Sequence, residues 1–454
     1  MTDEITPMDS SPASAREGSL AQPTRHPVAW RAPEFYDEPA LMHELERVYE
    51  LCHGCRRCFS LCNAFPVLFD HVDESPTGEV AALPRAARWE VVDHCYLCDM
   101  CYMSKCPYVP PHPWNVDFPH LMLRAKAVRN RRDGVSLRDR LLSSTEVVGR
   151  IAGIPVVREI VNAATRSRAA RRLLQGALGV HREAPLPRFH SPFRSRDARR
   201  EHPALVATPA AGTRGRVAIF ATCYGNRNEP DIVEDLVAVL EHNEIPVALT
   251  REERCCGMPK LELGDLDAVA DFKETNIPAL AEMVASGHDI LAAIPSCVLM
   301  FKQELPLLFP DDPDVRAVAE HTFDPFEYLM LRHTERRLRT DFKAPLGKVA
   351  YHVPCHLRVQ AIGPKTRELL SLVPGTQLTT IERCSGHDGT YAVKREFREV
   401  SMKIAKPVID RVAAAGVDRL ASDCPMAAAQ IASGLPAGPA PEHPLRLLRL
   451  AYGI

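Results

Sequence analysis

The sequence predicts an α/β protein in which two similar parallel α/β modules fill the C-terminal half, behind a small helical unit dense in cysteine. Three observations carry this reading. Apolar strand-like runs alternate with helical stretches across residues 216–454, the order that parallel βα units require. That order occurs twice, with corresponding cysteines about 130 residues apart. Eight of the 15 cysteines lie between Cys52 and Cys106, in a stretch with little room for strands.

From the N-terminus, residues 1–38 are polar and rich in Ser and Pro near the start, which predicts a disordered tail. They lack the basic and apolar parts of a secretory signal, so the expected location is the cytoplasm. In that reducing compartment, closely spaced thiols are read as metal ligands or redox groups before disulfides. A net charge of −2 with 25% charged residues argues against bulk nucleic-acid binding. No apolar run approaches the ~18 residues of a spanning helix.

Residues 39–123 form the predicted cysteine-dense unit. Its first motif is Cys52-x2-Cys55-x2-Cys58-x3-Cys62, and its second is Cys95-x2-Cys98-x2-Cys101-x4-Cys106-Pro107. Three cysteines at i, i+3 and i+6 can wrap a loop around one cubane, each thiolate meeting a different iron. In two-cluster ferredoxins the fourth ligand comes from the other motif. The expected sets are therefore Cys52, Cys55, Cys58 and Cys106 for one [4Fe–4S] cluster, and Cys95, Cys98, Cys101 and Cys62 for the other. Asn63 stands where Pro often follows the fourth cysteine, and the second motif has one extra residue before Cys106. The alternative is a non-redox zinc scaffold, although zinc sites usually pair their cysteines as CxxC.

Residues 124–215 read as an Arg-rich helical insert and linker. Between 124 and 200 there are 18 Arg and one Lys against six acidic residues. Leu141, Val147, Ile151, Ile154 and Ile160 recur there at helical spacing. Two readings stand: a solvated Arg-rich face, or a helix lying on an anionic membrane surface, which would make the protein peripheral on the inner face of the cytoplasmic membrane. Aromatic side chains for base stacking are almost absent, so no nucleic-acid partner is expected.

The modules are expected at 216–340 and 341–454. In the first, strands 217–222, 246–249 and 290–294 run into Cys223, Cys255-Cys256-Gly257 and Cys297; in the second, strands 349–353, 378–381 and 420–421 run into Cys355, Cys384-Ser385-Gly386 and Cys424. Ligands of parallel sheets gather at the carboxyl ends of strands, where these cysteines fall.

Several stretches carry a resemblance: Thr222-Cys223-Tyr224, Cys255-Cys256-Gly257-Met258-Pro259, Tyr351-His352-x-Pro354-Cys355-His356, and Cys384-Ser385-Gly386-His387-Asp388-Gly389-Thr390-Tyr391. With them the chain resembles the iron–sulfur C-subunit family of anaerobic glycerol-3-phosphate dehydrogenase, and the wider CCG-domain iron–sulfur oxidoreductases related to heterodisulfide reductase. The resemblance implies a ferredoxin-type domain followed by two Rossmann-like CCG modules. It also implies an electron-transfer component relaying electrons from a flavoprotein dehydrogenase, or another redox protein, toward membrane quinone. No flavin or nicotinamide motif occurs in this chain, so the dehydrogenase is expected on a partner.

A complete CCG module has the form C…CCG…CxxC, and both copies depart from it. The first keeps Cys223, Cys255, Cys256 and Cys297 as metal ligands, with Met300 at the last position. The second keeps Cys355, Cys384 and Cys424, with Ser385 and Ala427 replacing cysteines; His356 or His387 could complete its ligand set. The expectation is two [4Fe–4S] clusters in the N-terminal unit and one further cluster in the C-terminal half. The alternative is a heterodisulfide-reductase-like thiol/disulfide oxidoreductase acting at the C-terminal cysteines.

Overall fold

The computed structural model describes residues 23–104 and 106–454. Two four-stranded, all-parallel sheets form its C-terminal half, with the same strand order in each. The first runs β2-β1-β3-β4, from β1 (Val217–Ile219), β2 (Val247–Leu249), β3 (Asp289–Leu291) and β4 (Thr322–Phe323); the second runs β6-β5-β7-β8, from β5 (Lys348–His352), β6 (Gln377–Ile381), β7 (Arg419–Ser422) and β8 (Pro441–Glu442). Ala218 pairs with Ala248 and Ile290, and Ala350 with Thr379 and Leu420, so the two sheets repeat one register. The edge strands β4 and β8 span two residues each and give no signal in the sequence pattern. The central strands are buried on both faces, because helices cover each side.

The N-terminal unit is helical: α1 (Glu38–Cys55), α2 (Ala64–Asp73), α3 (Arg85–Asp93), α4 (Met100–Ser104) and α5 (Phe118–Asp133). Asp37 caps α1 by accepting from the Ala40 amide, and Pro39 sits in its first turn where no backbone donor is needed. Leu41, Leu45, Val48 and Tyr49 then share one buried face. Arg56, in the left-handed conformation, ends the helix and turns the chain toward Cys58 and Cys62.

Two expected boundaries are corrected. Of the predicted tail, residues 1–22 lie outside the described residues, but 23–38 are packed rather than disordered. Trp30 is buried and donates to the Leu308 carbonyl, the Val28 amide donates to Leu307, and Arg25 is held by three carboxylates. One aromatic anchor and one buried ion pair fix a segment whose average composition is polar. The boundary at 123/124 also moves, because α5 runs through it. Leu121, Met122, Leu123, Ala125, Ala127 and Val128 are buried, and Gly134 ends the helix with φ 75°. The arginines of α5 are outside, with Arg129 and Arg132 over Trp89 and Arg131 over Tyr36.

The insert continues as α6 (Leu137–Ser143), α7 (Thr145–Ala152), α8 (Pro155–Arg166), α9 (Arg168–Leu178) and α10 (Phe193–Asp197). Much of its positive charge is matched by acids of other units: Arg138 pairs with Glu396, Arg194 with Glu253, Arg196 with Asp231 and Glu234, and Arg200 with Glu241. Its apolar residues behave differently. Leu137, Val147, Ile151, Ile154, Val156, Ile160 and Leu173 are all more than half exposed. No helix among the described residues is long and apolar enough to cross a membrane.

Within the first module, α11 (Cys223–Arg227) and α12 (Pro230–His242) follow β1. One core joins the N-terminal unit to this module, through residues such as Leu97, Leu121, Cys255, Val269 and Leu299. A second core joins the two modules, with Leu236, Val237 and Leu240 of α12 against Leu445, Leu448 and Tyr452 near the C-terminus.

Candidate metal centres

All 15 cysteines are free thiols, five buried and ten half-buried, and they fall into four neighbourhoods. Cys52 lies within electrostatic reach of Cys106, Cys58 and Cys55, and these four line one hollow together with Phe65 and Val116. Burial first, then the neighbouring thiols, pushes the Cys52 thiol well up. The second neighbourhood brings together Cys62, Cys95, Cys98 and Cys101: Cys62 faces Cys95, and Cys101 faces Cys95 and Cys62. Burial raises all four, Cys95 to about 11. Leu97 and Asp99 both adopt positive φ, 55° and 59°, wrapping the loop on either side of Cys98. Cys101 is also near Cys58, so the two groups adjoin.

The second group abuts the C-terminal module directly. Cys98 is within reach of Cys355 and Cys384, and Cys384 of Cys62. Cys355, Cys384 and Cys424 form the third neighbourhood, with the half-buried Asp388 carboxylate 4.0 Å from the Cys384 thiol. Burial holds Asp388 up at about 6 and Cys424 at about 11. The fourth comprises Cys223, Cys255, Cys256 and Cys297, with Cys223 and Cys255 sulfurs 3.9 Å apart. Cys255 is the thiol held low there, because it accepts from Cys223, Cys256, the Gly257 amide and Thr145. The third and fourth groups meet where His356, next to Cys355, lies 2.8 Å from the Ser296 hydroxyl, next to Cys297.

Local backbone explains the glycine that ends each cysteine motif. Gly257 follows Cys256 at φ 101°, a conformation that L side chains avoid. Gly386 follows Cys384-Ser385 at φ 69°, and a Cβ there would stand 2.2 Å from the Ser401 carbonyl oxygen. Gly386→Ala is therefore expected to destabilise the fold by about 2–4 kcal/mol. Gly176→Ala, where a Cβ meets nothing within 4 Å, should be neutral or slightly stabilising. Equal melting temperatures for the two variants would contradict this. Thr222 precedes Cys223 with φ 64°, a strained position for a β-branched residue, and its hydroxyl accepts from the Gly225 amide.

The histidines separate into two kinds. His352 is engaged at both ring nitrogens, by Ser422 and the Arg383 carbonyl, whereas His94 meets Tyr391 and Asn63 through Nδ1 alone. Among the described residues, His387 is buried with no partner at either ring nitrogen, and His356 has none at Nε2 while its Nδ1 is 2.8 Å from Ser296. Burial depresses both imidazoles to about 4, which keeps them neutral. Met300 is fully buried, its methyl nearest to Gly257.

Three participants escape sequence reasoning. Thr145, from the insert, places its hydroxyl 3.2 Å from the Cys223 sulfur and 3.7 Å from that of Cys255. Lys126, buried in α5, donates to the Cys95 and Glu262 carbonyls and lies over the Tyr96 ring. Glu262 is itself buried, which raises its carboxyl to about 8. Only Lys126 gave any signal, as the one lysine in an arginine-rich segment.

Buried thiols in adjoining groups, approached by few compensating cations, suit a site whose positive charge comes from bound iron. A coordinated thiol ionises because the metal supplies that charge. Parallel α/β modules with cysteines at their strand ends, set against a cysteine-packed helical unit, define an iron–sulfur oxidoreductase of the CCG class. The CCG cysteine-rich domain family matches residues 217–302 and 349–432. The chain is 30% identical over 341 residues to the C subunit of anaerobic glycerol-3-phosphate dehydrogenase from Escherichia coli K12, covering 75% of this chain and 83% of that one. It is 26% identical to the B subunit of a CoM/CoB fumarate reductase from Methanothermobacter marburgensis (48% and 42% covered) and 28% identical to lactate utilization protein A of Bacillus cytotoxicus (46% and 87%). The chain belongs to the C-subunit family of anaerobic glycerol-3-phosphate dehydrogenase, and is an iron–sulfur electron-transfer protein.

Proposed function

We propose that this protein is the electron relay of a complex in which a flavoprotein oxidises glycerol 3-phosphate, and that it passes the electrons toward membrane quinone. The observation that carries this is the succession of cysteine groups: the first adjoins the second at Cys58 and Cys101, the second adjoins the third at Cys98, and the third meets the fourth where His356, next to Cys355, bonds Ser296, next to Cys297. On this reading the N-terminal unit is a ferredoxin-type domain holding two [4Fe–4S] clusters. Cys52, Cys55, Cys58 and Cys106 bind one, and Cys62, Cys95, Cys98 and Cys101 the other. Cys223, Cys255, Cys256 and Cys297 bind a further cluster, while Cys355, Cys384 and Cys424 form a three-thiol site that His387 or His356 could complete.

Bound in such sites, iron–sulfur clusters accept and release single electrons with little change of shape. The chain's own part is to hold the thiols, exclude water and fix the local charge. Lys126 places a buried cation beside Cys95, which favours the reduced state of that group, and Asp388 places a carboxyl beside Cys384 that opposes it. Anaerobic purification followed by iron and sulfide analysis should give at least about eight irons per chain, with EPR signals on reduction. Zinc without labile sulfide would instead support the scaffold alternative.

The exposed apolar residues of α7 and α8, beside basic residues such as Arg150 and Arg166, support peripheral contact with an anionic bilayer. The protein is expected to float with phosphatidylglycerol vesicles, and Ile151→Glu/Ile160→Glu to remain at the bottom of the gradient. Flotation unchanged by the double substitution would remove this assignment.

A further inference from the structure

The fourth cysteine group opens onto a pocket of about 620 Å³, within the range of small-molecule sites. The insert forms one wall and the first module the other, with Cys223 among the lining residues. Five arginines line it, Arg150, Arg194, Arg227, Arg251 and Arg254, against three glutamates. Two of the carboxylates are already engaged. Glu146 accepts from Arg150, Arg254 and the Cys255 amide, and Glu253 accepts from Arg194, Thr250 and the Ala221 amide. Arg251 pairs with Glu282, and Arg254 bridges Glu146 and Asp271.

Arg227 differs from the rest. It is half-buried at the end of α11, four residues from Cys223, and its side chain has no hydrogen-bond or ion-pair partner among the described residues. That side chain lies along two glycines of the insert. A Cβ at Gly149 would stand 2.9 Å from its Cδ, and one at Gly153 2.8 Å from its Nη1. The fold therefore fixes where this guanidinium sits; the nearby Glu146 carboxylate is bonded by Arg150, Arg254 and the Cys255 amide and not by Arg227, although a partly desolvated guanidinium gains most from a directly paired oxyanion. Thr222 and Asn226 add polar side chains to the same wall.

We propose that this pocket binds a small oxyanion, a carboxylate or phosphate group carried by a low-molecular-weight ligand, with Arg227 as its anchor and the Cys223 end of the first module beneath it. The site is independent of which dehydrogenase supplies the electrons. It places a ligand where the line of cysteine groups reaches the surface. A neutral quinone headgroup is the competing occupant; five arginines against three glutamates, of which Glu146 and Glu253 are already engaged and only Glu252 is left, favour the anion.

The test is calorimetric titration of the anaerobically purified, cluster-loaded full chain at low ionic strength with inorganic phosphate, with succinate, and with a short-chain naphthoquinone. Binding of phosphate or succinate is expected, the preferred one identifying the oxyanion. Arg227→Gln should weaken it at least about tenfold, and Arg227→Lys should retain most of it. Gly149→Ala, a change that favours the helix itself, should also weaken binding by displacing the Arg227 side chain. Iron content equal to that of the parent protein would show that each variant is folded. Absence of oxyanion binding, affinity unchanged by Arg227→Gln, or binding of the quinone alone would overturn the proposal.

Discussion

Arg25→Ala is expected to destabilise the folded protein by about 3–5 kcal/mol, the range for removing one partner of a buried ion-pair network. The guanidinium lies 2.6 Å from Asp99, 2.9 Å from Asp117 and 3.5 Å from Glu304, and stacks over Tyr102. Asp99 and Asp117 belong to the N-terminal unit and Glu304 to the first module, so one side chain ties the segment around Arg25 to both. Burial pushes Asp99 up even beside Arg25, whereas Arg25 and His120 hold Asp117 and Glu304 below the usual carboxylate range. Without Arg25, His120 is left between Asp117 and Glu304, and Asp99 has no cation in contact. Chemical denaturation followed by circular dichroism reads the loss. A change under about 1 kcal/mol, the scale of an exposed pair, would show that the segment around Arg25 is not held as described.

Cys62→Ala is expected to remove about four irons and one of the two EPR signals of the N-terminal unit. Double substitution identifies the cluster it serves. If Cys62 belongs with Cys95, Cys98 and Cys101, adding Cys98→Ala costs no further iron, whereas adding Cys55→Ala empties the other site as well. If each motif instead keeps its own four cysteines, the two doubles exchange outcomes. The grouping of Cys62 with Cys95 and Cys101, and of Cys106 with Cys52, favours the first pattern.

The parallel modules were legible because strand and helix alternate with cysteines at the strand ends, and this pattern is local. The expected strands at 217–222 and 290–294 end earlier, at Ile219 and Leu291, since the chain leaves the sheet before reaching its cysteine. The edge strands were not legible, because two residues carry no periodicity. The role of residues 23–38 was hidden for another reason. Arg25 and Trp30 are individually ordinary, and their value comes from acids and carbonyls far away in sequence. The same holds for Thr145, whose hydroxyl meets thiols 78 and 110 positions later. Composition shifts located the insert but not its contacts, since arginines whose partners are distant look like surplus charge.

The core shared by the two modules bears on whether either could exist alone. Tyr452, two residues from the C-terminus, is buried, donates to the Arg339 carbonyl, and packs against His242. Arg449 pairs with Asp235 of α12. The last helix, Pro444–Tyr452, thus completes the wall of the first module as well as its own. The repeat visible in the sequence is not a division into autonomous folding units. Cutting the chain at 340/341 would strip Leu236, Val237 and Leu240 of the cover that Leu445, Leu448 and Tyr452 give them.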